Sequence, residues 1–91
     1  MPKVIVTGEV EDPARWEAGF RTHGDLFRSM TVQEPIHFTT AGNDVAVTME
    51  PEDMGAFGRV TESQETADAM ASDGFKREGM KMFVLDKELK L

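Results

Sequence analysis

From Lys3 to Val10 apolar and polar residues alternate, with Val4, Val6 and Val10 on one face and Ile5, Thr7 and Glu9 on the other. That period of two predicts a strand. Gly8 interrupts the valine face, as expected at a bulge or where another segment approaches closely. The period then changes. Asp12-Pro13 combines an acceptor side chain with a proline suited to the first helical position, which predicts a helix start. Trp16, Phe20, His23, Phe27 and Met30 follow at steps of four and three, forming one stripe of a helix that runs to about Met30. Glu17, Arg21 and Asp25 occupy the opposite, solvated side. Gly19 and Gly24 each weaken this helix by about 1 kcal/mol relative to alanine, and Gly24 beside His23 is where it would bend.

Thr31 to Thr40 and Asp44 to Glu50 read as two strands joined by a Gly42-Asn43 hairpin turn. Pro35 cannot donate to a ladder, so the earlier strand is expected at a sheet edge. Glu50-Pro51-Glu52-Asp53 opens a second helix with proline and acids in its first turn. Met54, Phe57 and Val60 begin its apolar face. Ser63 looks like a fresh N-cap before Ala67, Met70 and Ala71, so a break is expected near Thr61 to Ser63. Gly74 ends the helix, with Phe75 supplying the accompanying apolar contact. A last strand covers roughly Gly79 to Leu85, with Met80, Met82 and Val84 on one face and Phe83 and Leu85 on the other. Residues 86–91 alternate charge and leucine, and either extend that strand or dock elsewhere.

The order β-α-β-β-α-β is that of a ferredoxin-like α+β domain spanning 1–91: a four-stranded antiparallel sheet with two helices on one face. Apolar residues also lie on the helix-free face of the first and last strands, at Ile5, Phe83 and Leu85. A bare sheet face is normally polar, so a second copy of the chain is the expected cover, giving a homodimer through the sheet face.

Composition narrows the chemistry. The 91 residues suit one domain with a modest core. Seventeen acids against ten Lys and Arg give a net charge of −7, which disfavours nucleic acid and anionic membrane surfaces as partners. There is no cysteine, which removes thiol catalysis and disulfides. Met1-Pro2-Lys3 leads into an apolar run too short for a signal peptide or membrane span, so the chain reads as cytoplasmic. His23 and His37 have no metal-ligand spacing, and no phosphate-binding glycine loop occurs, so no metal or cofactor is expected. His37 points away from its neighbours Ile36 and Phe38, toward solvent or an interface.

His23 is the candidate catalytic residue, because an ionisable ring interrupts an otherwise apolar stripe. The plainer expectation is a buried histidine satisfied by a backbone carbonyl or a neighbouring acid. Trp16, Phe20, Phe27, Phe38, Phe57 and Phe75 are the candidate pocket lining for a small apolar or aromatic ligand, or else simply the core. Seven methionines suit an adaptable interior.

The element order, the Trp16-x-x-x-Phe20-x-x-His23-x-x-x-Phe27 helix, the Asp53-x-x-x-Phe57 helix start and the Ser63…Met70…Gly74-Phe75 ending together resemble the dimeric α+β barrel superfamily. Antibiotic-biosynthesis-monooxygenase-like and stress-responsive barrel proteins belong to it. The resemblance implies ligands held between helices and sheet. It also implies a choice among cofactor-free oxygenation, isomerisation, polyketide cyclisation, haem degradation and no catalysis at all. Haem degradation requires an axial histidine on the second helix, and residues 51–74 contain none. The leading expectation is a dimeric barrel that binds a small apolar or aromatic molecule, with monooxygenase or isomerase chemistry open to it. The alternative is a non-catalytic structural or stress-related module with a solid core. Cavity volume separates them: several hundred Å3 would favour a ligand. A subunit of a larger complex would instead leave an apolar patch exposed in the homodimer.

Overall fold

The computed structural model describes residues 3–91. Met1 and Pro2, part of the start read above as too short for a leader, lie outside the described residues. The chain runs β1 (Lys3–Val10), α1 (Pro13–Phe20), α2 (Gly24–Ser29), β2 (His37–Ala41), β3 (Asp44–Met49), α3 (Met54–Thr61), α4 (Gln64–Ser72) and β4 (Phe75–Leu85). The sheet order is β2-β3-β1-β4, with every neighbouring pair antiparallel. This is the expected α+β arrangement; the second helix breaks after Thr61, where a break is expected, and the first, expected as one helix with a bend at Gly24, is also divided in two.

Both breaks have local causes. The Asp12 carboxylate accepts from Ala14 N and Arg15 N at the start of α1. After Phe20 the turn tightens: Thr22 N donates to Gly19 O and His23 N donates to Phe20 O, both three residues back. α2 then begins anew at Gly24, with His23 as its N-cap residue. The break shifts the helical phase, so Leu26, absent from the expected stripe, is buried beside Trp16 and Met30. In the second pair Asp53, rather than Pro51, starts the helix, and its carboxylate caps Gly55 N and Ala56 N. Pro51 is buried and bridged to Val32. Ser63 caps α4 as expected, accepting from Thr66 N.

β2 is shorter than the strand expected from Thr31, because Thr31 takes a left-handed φ of 63° and Pro35 has no N–H to give to a ladder. It is nevertheless an edge strand. β4 is longer than expected and starts at Phe75, directly after Gly74 turns the chain at φ 75°. Gly8 serves both expected purposes. The β1–β4 register shifts between Thr7 and Glu9, and the Phe75 ring tip would lie 2.3 Å from a Cβ at position 8. Residues 86–91 carry no regular structure, and Leu89 and Leu91 are exposed.

Helices cover one face of the sheet. The core joins Val4, Val10, Val45, Val47 and Met49 from the strands to Trp16, Leu26, Met30 and Phe57 from the helices. Burial of such side chains contributes about 1.5–3 kcal/mol each before conformational entropy is set against it. On the other face Ile5 sits opposite Thr48 and Phe83, and Lys3 opposite Leu85. Phe83 and Leu85 are 49% and 47% exposed there. Among the described residues no helix is long and apolar enough to cross a membrane.

Candidate functional site

Between the helices and the sheet lies a cavity of about 100 Å3. Val6, Val47 and Met49 form its sheet side, and Met80 and Met82 of β4 close one flank. Trp16, Phe20, Phe27, Phe57 and Phe75 line it. Phe38, also expected there, is not part of the wall. It packs on the aromatic cluster instead, with ring centroids 4.8 Å from Phe20 and 5.7 Å from Trp16, beneath the Arg21 guanidinium. Its place on edge strand β2 puts it beyond the cavity. The volume is smaller than the several hundred Å3 that a drug-sized ligand occupies.

Four polar side chains interrupt this apolar wall: His23, Thr61, Thr66 and Asp73. His23 comes from the α1–α2 break and Asp73 from the end of α4, fifty residues away in sequence. His23 Nε2 lies 2.8 Å from Asp73 Oδ2. The Asp73 side chain is 9% exposed and that of His23 23%. A carboxylate that accepts a hydrogen bond from Nε2–H selects that tautomer, leaving Nδ1 as the ring's free acceptor. A neighbouring acid is also what a satisfied core histidine would have. What a plain core does not require is that both partners face an apolar cavity.

The approach of Asp73 depends on Gly19, since a Cβ there would sit 1.9 Å from Asp73 Oδ1. Gly19→Ala is therefore expected to push the carboxylate off His23. Helix propensity alone would favour the variant by about 1 kcal/mol. We expect a net loss of about 1–3 kcal/mol in urea unfolding, as for other overpacked sites. A net gain would show that the pair does not need this glycine.

The residue types at helical spacing located His23 but not its partner. Asp73 did carry one signal: it is an acid at a helix C-terminus, where the macrodipole disfavours negative charge. Thr66 is buried, and its hydroxyl donates to Val60 O at 2.6 Å. The Thr61 hydroxyl is buried without a hydrogen-bond partner. Nothing in the sequence marks either threonine. His37 is exposed on β2, away from this site. Among the described residues no three acidic or histidine side chains converge as a metal site would require.

No protein-family model and no curated protein matches the chain. Solved structures do match in three dimensions. A candidate antibiotic biosynthesis monooxygenase from Bordetella bronchiseptica superposes with a TM-score of 0.73 at 15% identity, covering 97% of both chains. SnoaB, a cofactor-independent oxygenase from Streptomyces nogalater, superposes with a TM-score of 0.71 at 14% identity, covering 99% of this chain and 95% of that one. An ethyl tert-butyl ether degradation (EthD) family protein from Bacillus halodurans gives a TM-score of 0.58 at 16% identity, covering 97% and 99%. At these identities the likeness is one of fold: the chain has the ferredoxin-like α+β fold of the antibiotic biosynthesis monooxygenase structures.

Proposed function

We propose that this chain is a homodimeric, cofactor-free enzyme that binds a small apolar or aromatic molecule between its helices and sheet. The observation that carries the reading is the His23–Asp73 pair in the wall of an otherwise apolar cavity. A general base in such a site takes a proton from an acidic C–H or O–H of the bound molecule. His23 Nδ1 is the acceptor, and Asp73 stabilises the imidazolium that forms. The substrate anion then has two fates. Return of the proton to another carbon is an isomerisation and needs no co-reactant. Reaction with dioxygen at a CH2 group gives a carbonyl and releases water, with the oxygen molecule as the four-electron acceptor. The fold shared with a cofactor-independent oxygenase supports the second.

The dimer rests on the sheet face that carries Ile5, Phe83 and Leu85. Buried against a second copy, it removes an apolar patch from water. Sedimentation at micromolar concentration is expected to give a dimer, and Phe83→Lys a monomer. A wild-type monomer would overturn the dimer.

The modest cavity favours a second reading, a non-catalytic dimeric module with a nearly filled core. A thermal-shift screen of aromatic and quinone compounds separates the two. Ligand binding raises the melting temperature with concentration, whereas no response to any compound would leave the module as the better account.

A further inference from the structure

We infer that Arg15 is a positioning residue for the His23–Asp73 pair, acting through the Ser72 carbonyl at the end of α4. The inference rests on the pair being the working centre of the proposed site and adds to it the group that aims the carboxylate. Asp73 stands just past α4, where the last backbone carbonyls of a helix lack intrahelical partners. The last turn of α4 holds no basic residue, and Asp73 adds a negative charge at the helix end that disfavours one. Arg15 supplies what is missing from α1: its Nη2 donates to Ser72 O at 2.8 Å and brings a cation to that helix end. Glu11 N donates to Gly74 O at 3.0 Å. The carbonyls of the residues on either side of Asp73 are therefore both held, and both by the segment that opens α1.

Spacing explains why one segment can do this. Glu11, Arg15, Gly19 and His23 follow one another at steps of four, along one side of α1 and its flanking turns. All four meet the turn from Ser72 to Gly74. Glu11 holds Gly74 through its N–H, and its carboxylate braces Arg15 Nη1 at 3.4 Å. Arg15 holds Ser72, Gly19 leaves room for Asp73 Oδ1, and His23 Nε2 meets Asp73 Oδ2 at 2.8 Å. Gly74 admits the guanidinium closely, since a Cβ there would lie 3.4 Å from Arg15 Nη1. The Arg15 side chain is half exposed and Ser72 is exposed, so water can replace the guanidinium as the carbonyl's partner. Water does not tie that carbonyl to α1. Arg15 therefore governs where the carboxylate points more than how stable the domain is.

The test is NMR of the full chain labelled with 15N, reading exchange of the histidine ring protons with water. In wild type the His23 Nε2–H, bonded to Asp73, is expected to give a slowly exchanging signal that is absent from His23→Gln. His37, exposed on β2, should give none. Arg15→Met is expected to speed exchange of the His23 proton about tenfold or more, the effect of weakening one charge-assisted hydrogen bond. Backbone amides of β1 and β3 should exchange as in wild type. Arg28→Met, which removes a guanidinium paired with Asp25 on α2, should leave the ring proton unchanged. If the ring proton of Arg15→Met exchanges as in wild type, Arg15 does not position Asp73 and the inference falls while the pair stands. If ring and backbone protons speed up equally, Arg15 serves stability alone and the inference falls in the same way. If wild type shows no slow ring proton, the pair itself is not formed, and the proposed site falls together with the inference.

Discussion

Phe57→Ala is expected to cost about 3–5 kcal/mol, a large share of the roughly 5–15 kcal/mol that holds a domain of this kind together. Phe57 is 1% exposed and is the largest fully buried side chain among the described residues. It stands one turn inside α3, just after the Asp53 cap, and reaches from the helix layer into the core. Because it already borders the cavity, its loss enlarges an existing void, and the surrounding side chains recover few of the missing contacts. The melting temperature should fall by more than about 12 °C, at roughly 4–8 °C per kcal/mol for a domain of this size. Val84→Ala is the control. Val84 is an apolar side chain 47% exposed on β4, and its truncation should stay within about 0.5 kcal/mol. Calorimetry of the two variants checks the contrast. Equal losses would mean that the core is not centred where α3 meets the sheet.

The second large effect is on chemistry. With the compound that the binding screen identifies, His23→Gln is expected to lower turnover by about 10²–10⁴-fold, the usual loss of a general base. Affinity should change little. Glutamine is informative because its amide N–H can still donate to Asp73, so the carboxylate, nearly buried at 9% exposure, keeps a partner. What glutamine lacks is a basic nitrogen. Stability should therefore move far less than turnover. Single-turnover rates and urea midpoints on the same preparation separate the two roles. A variant that keeps its turnover but unfolds more easily would make His23 a structural histidine and the pair a core contact.

Several features of this fold follow from residues close together in the chain. The Asp12 and Ser63 caps are each fixed by a side chain acting within a few residues, and the turns at Gly42 and Gly74 by glycines at positive φ. The alternation of Val4, Val6 and Val10 settles which face of β1 meets the helices, and Ile5, Phe83 and Leu85 already mark the other face as apolar. Local rules were less reliable where two tendencies compete. The stripe from Trp16 to Met30 argues for one helix. The tight turn at Arg21–His23 divides it, which brings Leu26 into the core.

By itself, then, the sequence determined the order of elements, the antiparallel sheet and the presence of one ionisable ring on an apolar stripe. Periodicity assigns a residue to a face, and capping chemistry assigns the ends of its element. Neither says what stands opposite on an element fifty residues away. Only the tertiary structure decided that Asp73 meets His23, that Gly19 leaves the carboxylate room to do so, and that the Thr61 hydroxyl is buried without a partner. The physical reason is that these are contacts between helix ends on different elements. They are set by how α1, α2, α3 and α4 pack on the sheet, and that packing is fixed by the summed burial of the whole core rather than by any local pattern.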